Sequence, residues 1–352
     1  MVLLSHLGRP KGTPRPELSL RPVAERLRQL LGGEVEVRFV DRVAGPEVRK
    51  AAGELPAGGV LLVENTRFDP GETSGDEELA EGWADLADIF VNDAFGAAHR
   101  AHASTTGIAR AVRRRGGQAV AGLLMEKELD FLGRALEAPE RPFVAILGGA
   151  KISGKIDVIH ALLPRVDRLL IGGAMANTFF LALGLDVGHS LVEEDRVDTA
   201  RATLEEAGDA LLLPVDCVVA DDLAVDAATR VVPRDGVGSD ETIGDVGSAS
   251  RETFASDIAG ARTLLWNGPM GVFELEPFRE GTVAVARAVA RATDQGALSV
   301  VGGGDSAAAA EVAGVTDRLS HVSTGGGASL EFLSGAELPG VAALSDTDGE
   351  EA

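Results

Sequence analysis

The sequence predicts an α/β fold built from two parallel-sheet domains. Short apolar runs alternate with loops and helix-length segments along the whole chain, the pattern of a parallel sheet covered by helices. At 352 residues the chain is long enough for two cores, so two domains are expected. The central apolar run, Phe143–Leu147, ends in Gly148–Gly149 and leads to an expected helix from about Ser153, with Lys151 and Lys155 beside the turn. Paired glycines let a backbone turn sharply against a ligand, and two cations beside a helix N-terminus suit a polyphosphate. If that helix starts early, the two lysines share one face.

The chain holds lysine only at positions 11, 50, 127, 151 and 155. Two of them in one glycine turn mark that turn as more than solvated surface. The stretch nearly matches a P-loop, Gly149-x-x-x-x-Gly154-Lys155, but Ile156 stands where a magnesium-holding hydroxyl belongs. A P-loop NTPase is therefore an alternative with one required group missing.

In chain order, Met1–Ser5 reads as a strand running into the loop His6–Gly12. A helix follows over Leu18–Leu31, with Ser19 near its start and Gly32–Gly33 at its end. Strands are expected at Val35–Val40, Val60–Glu64 and Ile89–Val91, and helices at Pro46–Ala52 and Asp76–Ala87. Strand ends in this half carry charged donors: His6 and Arg9, then Arg67, then His99, Arg100 and His102. Gathered at one end of a parallel sheet they make a basic cleft for a small anion with several phosphate or carboxylate oxygens. No cysteine or carboxylate cluster accompanies the histidines, so no metal is expected there.

Val120–Leu136 reads as one long helix connecting the two halves. In the second half, strands at Arg168–Ile171, Leu211–Pro214, Thr263–Trp266, Leu298–Val301 and His321–Val322 are expected. Several end in glycine turns: Gly172–Gly173, Gly268, Gly302–Gly304 and Gly325–Gly327. Glycine turns followed by helices cradle phosphates. Asp305 beside such a turn reads as an N-cap or a magnesium contact.

Composition narrows the function. The formal net charge of −22 argues against nucleic acid and anionic membrane as partners. No apolar run is long enough to span a bilayer, and no signal-peptide pattern opens the chain. A single cysteine, Cys217 in an apolar run, is expected to be a buried inert thiol in a reducing, cytoplasmic compartment. Dispersed acid with scarce lysine suggests a salt-loving source. One half with basic strand ends and one with glycine turns and lysines suggest a phosphotransferase that closes on its substrates.

The chain resembles phosphoglycerate kinase. The resemblance rests on Ser5–Gly12, Glu64–Phe68, Phe90–Ser104, Ala121–Leu132, Gly148–Ile156, Gly172–Phe180, Trp266–Glu274, Gly302–Ser306 and Ser323–Leu330, which follow the family's order over nearly the whole chain. It implies two Rossmann-like domains joined by a long helix with a cleft between them. The expected division is 1–119 for 3-phosphoglycerate, 120–137 as connector, 138–337 for the nucleotide and 338–352 as an acidic tail. It implies reversible phosphoryl transfer from 1,3-bisphosphoglycerate to MgADP, giving 3-phosphoglycerate and MgATP, by a cytoplasmic, glycolytic, monomeric enzyme. His6, Leu7, Gly8, Arg9, Arg67 and Arg100 would hold the phosphoglycerate. Lys151 and the turn Gly325, Gly326 and Gly327 would face the transferred group. Lys155, Gly172, Gly173, Asn267, Glu274, Gly303, Gly304, Asp305 and Ser306 would hold the nucleotide, with Asp305 also on magnesium. Family members carry a further strand and helix, with an acid–amide pair and an arginine, ahead of Ser5–Gly12. The sequence is therefore read as beginning too late, with a hydrophobic sheet edge left bare. On that reading the chain alone is poorly soluble or nearly inactive, and an upstream extension restores transfer. A non-catalytic nucleotide-binding module is the second alternative.

Overall fold

The computed structural model describes residues 1–345. It separates into two compact units, Met1–Glu126 with the segment that begins at Glu337, and Lys127–Ala336.

In the first unit the elements run β1 (Val2–Leu3), α1 (Arg21–Leu30), β2 (Val37–Val40), α2 (Pro46–Gly53), β3 (Val60–Val63), α3 (Pro70–Ser74), α4 (Glu77–Ala84), β4 (Ile89–Asn92), α5 (Ile108–Arg114) and β5 (Gln118–Ala121). β1, β3 and β2 form one parallel sheet in that order, and β4 and β5 form a second. All four residues of β3 are buried, which is why it reads as an unbroken apolar run. Short acids start the helices: Asp69 accepts from Gly71 N–H at 2.8 Å, and Asp76 accepts from Leu79 N–H at 2.8 Å. Trp83 is buried among Leu79, Ile108 and Val112 and donates from Nε1 to the Val43 carbonyl at 2.9 Å.

The expected connector begins later than its apolar pattern suggests. Val120 and Ala121 belong to β5, and the helix α6 covers Leu123–Glu137. Asp93, just past β4, starts it by accepting from the N–H groups of Leu124 and Met125 at 2.8 and 2.9 Å. The boundary between the units falls inside α6, between Glu126 and Lys127. The expected separate tail from Leu338 also needs correction. Leu338, Ala343 and Leu344 are buried, and Gly340 donates to the Ala98 carbonyl at 2.8 Å and accepts from Asn92 Nδ2 at 3.1 Å. Apolar side chains at 338, 341 and 344 give this short stretch a face to bury. Residues 346–352 of the expected tail lie outside the described residues.

In the second unit follow β6 (Phe143–Leu147), α7 (Ile156–Leu162), β7 (Arg168–Ile171), α8 (Met175–Ala182), α9 (Val197–Ala207), β8 (Leu211–Leu212), β9 (Asp216–Ala220), β10 (Arg230–Pro233), β11 (Thr242–Val246) and α10 (Ser248–Ala259). After them come β12 (Thr263–Asn267), α11 (Glu280–Asp294), β13 (Leu298–Gly302), α12 (Gly304–Val312), β14 (His321–Val322) and α13 (Gly327–Leu333); α14 (Pro339–Ala342) returns to the first unit. Six strands make one parallel sheet, ordered β14-β13-β12-β6-β7-β8. Its two central strands, β12 and β6, are buried at every position. Ile146, Trp266, Phe254 and Val289 pack in the main core on this sheet; each such side chain contributes about 1.5–3 kcal/mol over its exposed state. A smaller antiparallel sheet, β10-β9-β11, carries Cys217, whose thiol burial pushes up to about 12.

Candidate functional site

The first unit gathers cations after its strand ends. Asn65 organises the turn after β3: Nδ2 donates to the carbonyls of Leu7 and Leu18 at 2.8 and 2.9 Å, and Oδ1 accepts from Arg67 N–H at 3.1 Å. This ties the loop after β1 to the loop after β3. Arg67 then reaches from a terminal nitrogen to the Gly8 carbonyl at 3.0 Å, while Gly12 N–H returns to the Arg67 carbonyl at 3.2 Å. Burial lowers the Arg67 guanidinium from its usual range; the nearby Glu72 acts against that, and Arg9 and Arg100 reinforce it. Arg67 is thus close enough to Arg9 and to Arg100 to be repelled by both. His102 is buried and held down at about 4, first by desolvation and then by Arg67, Arg100, His6 and His99. His6 is lowered for the same reasons, burial first and Arg67 second. A neutral imidazole is what such a cluster permits. Among the described residues, Nε of Arg67 and Nδ1 of His99 are buried without a hydrogen-bond partner, as expected of groups meant for an outside acceptor.

Glu72, which sequence reasoning did not single out, is the one acid in direct touch with this cluster among the described residues. It is 1% exposed and accepts from Ser104 N–H at 2.9 Å and Ser104 Oγ at 2.6 Å, with His102 Nδ1 at 3.6 Å. In the sequence it stands among Asp69, Thr73, Ser74 and Asp76 in a polar turn and carries no local signal. A cavity of about 1030 Å³ in this unit, lined by Arg42, Arg49, Asp69 and Asp85 among others, includes none of His6, Arg9, Arg67 or Arg100.

In the second unit the strand register decides the arrangement. Asn267 pairs with both Leu147 and Gly302, Leu147 pairs with Ile171, and Val301 with Val322. The turns at Gly148, Gly172, Gly268, Gly303 and Ser323 therefore leave one end of one sheet, where α/β folds hold ligands. The glycines also interlock. Gly173 has φ +68°, and a Cβ there would sit 2.5 Å from Gly149 N; a Cβ on Gly268, φ +98°, would sit 2.7 Å from Lys155 Nζ. A Cβ on Gly172 would meet Met270 Sδ at 2.5 Å.

The two lysines do not share a helix face. α7 begins at Ile156 with Lys155 as its N-cap residue, so Lys151 lies in the turn before it. Three glycines and the Lys151–Ser153 turn delay the helix. Lys151 is exposed, and Glu193 fixes its turn by accepting from Ser153 N–H at 3.0 Å and Ser153 Oγ at 2.5 Å. Lys155 is half-buried as a whole, but its ammonium is sunk against β12, donating to the Asn267 carbonyl at 2.8 Å and to Asn267 Oδ1. Burial lowers it to about 8, and Asp305 acts against that shift. Asn267 Nδ2 donates to the Gly302 carbonyl at 2.9 Å, so one amide joins the turns of β6, β12 and β13.

Asp305 is not an N-cap: Gly303, at φ +92°, holds that position of α12. Ser306 is fully buried and accepts from Gly268 N–H at 2.6 Å. Gly326, φ +50°, precedes α13, and Glu128 on α6 orders that turn. Its two oxygens accept from Thr324 N–H and Oγ1 at 2.8 and 2.9 Å and meet His321 Nε2 at 2.8 Å. Burial pushes the Glu128 carboxyl up, but bonds from His321, Ser323 and Thr324 outweigh it and leave it below the usual range. Next to these turns lies a cavity of about 260 Å³, lined by Gly149, Gly173, Asp305 and Glu274 together with Ile243 and Val272. Ile243 comes from β11 and was not foreseen; Val272 comes from the loop after β12, within the Trp266–Glu274 stretch.

A profile of the family described as phosphoglycerate kinase matches residues 1–336. The phosphoglycerate kinase of Chloroflexus aurantiacus is 56% identical over 351 residues, covering 99% of this chain and 86% of that protein. The chain belongs to the phosphoglycerate kinase family. The enzyme from Fervidobacterium nodosum is 53% identical over 350 residues, covering 98% of this chain and 86% of that protein. Among solved structures, phosphoglycerate kinase from Coxiella burnetii superposes with a TM-score of 0.85 at 44% identity, covering 97% of this chain and 85% of that one. That from Pyrococcus horikoshii gives 0.81 at 34%, with the same coverage. The activity is therefore the phosphoglycerate kinase reaction, reversible transfer between 1,3-bisphosphoglycerate and ADP with a carboxyl group as the acceptor in the reverse sense. A P-loop NTPase and a non-catalytic module are not favoured. Both substrates are polyanions, in keeping with cationic turns on an acidic chain.

Proposed function

We propose that the first unit binds the phosphoglycerate and the second binds the nucleotide. The observation that carries this reading is the alignment of five glycine or serine turns at one sheet end around the Lys155–Asn267 pair. His6, Arg9, Arg67 and Arg100, with the Leu7–Gly8 backbone, would hold the glycerate's carboxylate and phosphate. Gly173 and Glu274 would receive the nucleoside, and Lys155, Asn267 and Gly303–Ser306 the phosphates. Gly172 serves mainly to let Met270 close in. Lys151 and the Gly325–Gly327 turn would meet the charge that develops on the transferring group, where a fixed cation and backbone N–H groups act most strongly in the transition state.

Magnesium fits at Asp305. Its carboxylate lines the cavity, and among the described residues no hydrogen bond or ion pair engages it. No group of three or more His, Cys, Asp or Glu side chains there forms a protein cage, which suits an ion shared with phosphate oxygens and water. When bound, the ion would neutralise phosphate charge. Lys155, held on Asn267 with its charge favoured by Asp305, would keep the phosphates against β12.

Amide-exchange footprinting tests the division. ADP should protect residues near 173, 267–274 and 303–306, and 3-phosphoglycerate those near 6–12, 67 and 100. Protection of the first unit by ADP alone would sink it. We further propose a cytoplasmic monomer from a salt-loving source, supported by the single buried cysteine and the net charge of −22. A sedimentation coefficient of a dimer, or a melting temperature indifferent to molar KCl, would count against it.

A further inference from the structure

Asp245, in β11, is 2% exposed and belongs to no part of the reaction assigned above. Its Oδ2 accepts from Gly281 N–H at 2.6 Å, in the first turn of α11, and its Oδ1 accepts from Val246 N–H at 2.8 Å. The carboxylate also lies flush against Gly271: a Cβ there would fall 2.4 Å from Oδ1, and one on Gly281 would fall 2.2 Å from it. Beside it, Val272 N–H donates to the Gly244 carbonyl at 2.9 Å. Gly271, Val272 and Glu274 line the second unit's cavity.

We propose that Asp245 is a positioning residue for nucleotide binding, holding the Gly271–Glu274 wall of the cavity against β11 and the start of α11. The proposal rests on the reading of that cavity as the nucleotide site. Its chemistry is specific. Each oxygen faces one N–H donor, and only the carboxylate can accept from both at full strength. An amide in its place turns one of those two positions into a donor facing a donor, and protonation leaves one oxygen a neutral hydroxyl that accepts more weakly. That contact must lengthen, and the wall pressed against it loosens.

Burial raises Asp245 to about 7, with the Gly281 and Val246 bonds acting the other way. The charged groups that face it are Arg251 on α10, which lowers it, and Glu280 on α11, which raises it. Cys217 on β9 faces it as a thiol and stays neutral across this range. The carboxylate is therefore lost as pH falls through about 7, and with it the tight form of the wall.

The test is ADP affinity of the full chain by calorimetry, wild type against Asp245→Asn, near pH 8 and pH 6. The ratio of the two dissociation constants removes pH effects shared by both proteins. It should be about fivefold at the higher pH, the worth of one hydrogen bond, and fall toward one at the lower. The KM for 3-phosphoglycerate should not change. A ratio that is the same at both pH values, or a matching shift in both substrates, overturns the proposal. If the variant fails to fold, amide exchange in wild type decides: after correction for intrinsic rates, Val272 and Gly281 should exchange faster at the lower pH, and equal protection overturns it. A wild type in which bound ADP leaves Val272 unprotected at both pH values overturns the nucleotide reading itself.

Discussion

Nucleotide binding should draw a proton onto Lys155. Its ammonium is buried against Asn267 and lowered to about 8. Phosphates arriving beside it supply the opposite charge that burial withholds, and should return it to about 10.4 or above. At about pH 8, half the free enzyme lacks that proton, so binding takes up about 0.5 proton; near pH 7 the uptake is about 0.1 and near pH 9 about 0.9. The sign follows from linkage: the bound state holds more protons, so affinity falls as pH rises. Between about pH 7 and 9 the loss is about tenfold, or about 1.4 kcal/mol. Calorimetry of ADP in buffers of different ionisation enthalpy reads the uptake directly, and the terminal phosphate of ADP is already ionised in this window. Lys155→Arg supplies the control, because a guanidinium keeps its proton throughout. Uptake below about 0.1 proton near pH 9 in wild type, or equal uptake in Lys155→Arg, would refute the assignment of Lys155 to the phosphates.

Other expectations follow from the same turns. Lys151→Ala should lower kcat by about 10²–10³-fold while changing ADP affinity far less, since an exposed cation outside the helix acts on moving charge; steady-state kinetics beside calorimetry would show the opposite split if Lys151 were a binding residue. Glu128→Ala should cost about 3 kcal/mol of stability by stranding the His321 and Thr324 donors, and should lower kcat by disordering the Gly325–Gly327 turn; an unchanged melting temperature would contradict this. Cys217 should resist thiol reagents until the protein unfolds, because its thiol is buried and raised to about 12; rapid labelling of native protein would disprove it.

Much of the fold was legible because parallel strands buried on both faces read as plain apolar runs. Phe143–Leu147, Arg168–Ile171 and His321–Val322 end where the pattern ends. The antiparallel sheet was not legible. β10 leaves Arg230, Val231 and Pro233 exposed, and β11 is broken by Gly244, so neither shows a clean alternation. The start of α6 was missed because β5 and α6 share one apolar run; Asp93, distant in sequence, sets the boundary. At the sites, the donors were visible as residue types at strand ends. What holds them was not, because Glu72, Glu128, Glu193 and Asp245 act across 32, 196, 40 and 36 residues of chain. Such contacts have no local signature, and a lone acid in sequence resembles solvated surface. The shared face of Lys151 and Lys155, which required an early helix start, is absent for a local reason: glycines at 148, 149 and 154 postpone the helix.

The division of labour between the two units is tested most directly by calorimetry of both substrates on one pair of variants. Arg100→Ala should weaken 3-phosphoglycerate by at least about tenfold, the worth of a charge-assisted contact, and leave ADP affinity within about twofold. Asn267→Ala, which removes the amide joining the turns of β6, β12 and β13, should do the reverse. A tenfold loss of ADP binding in Arg100→Ala, or of 3-phosphoglycerate binding in Asn267→Ala, would contradict the account.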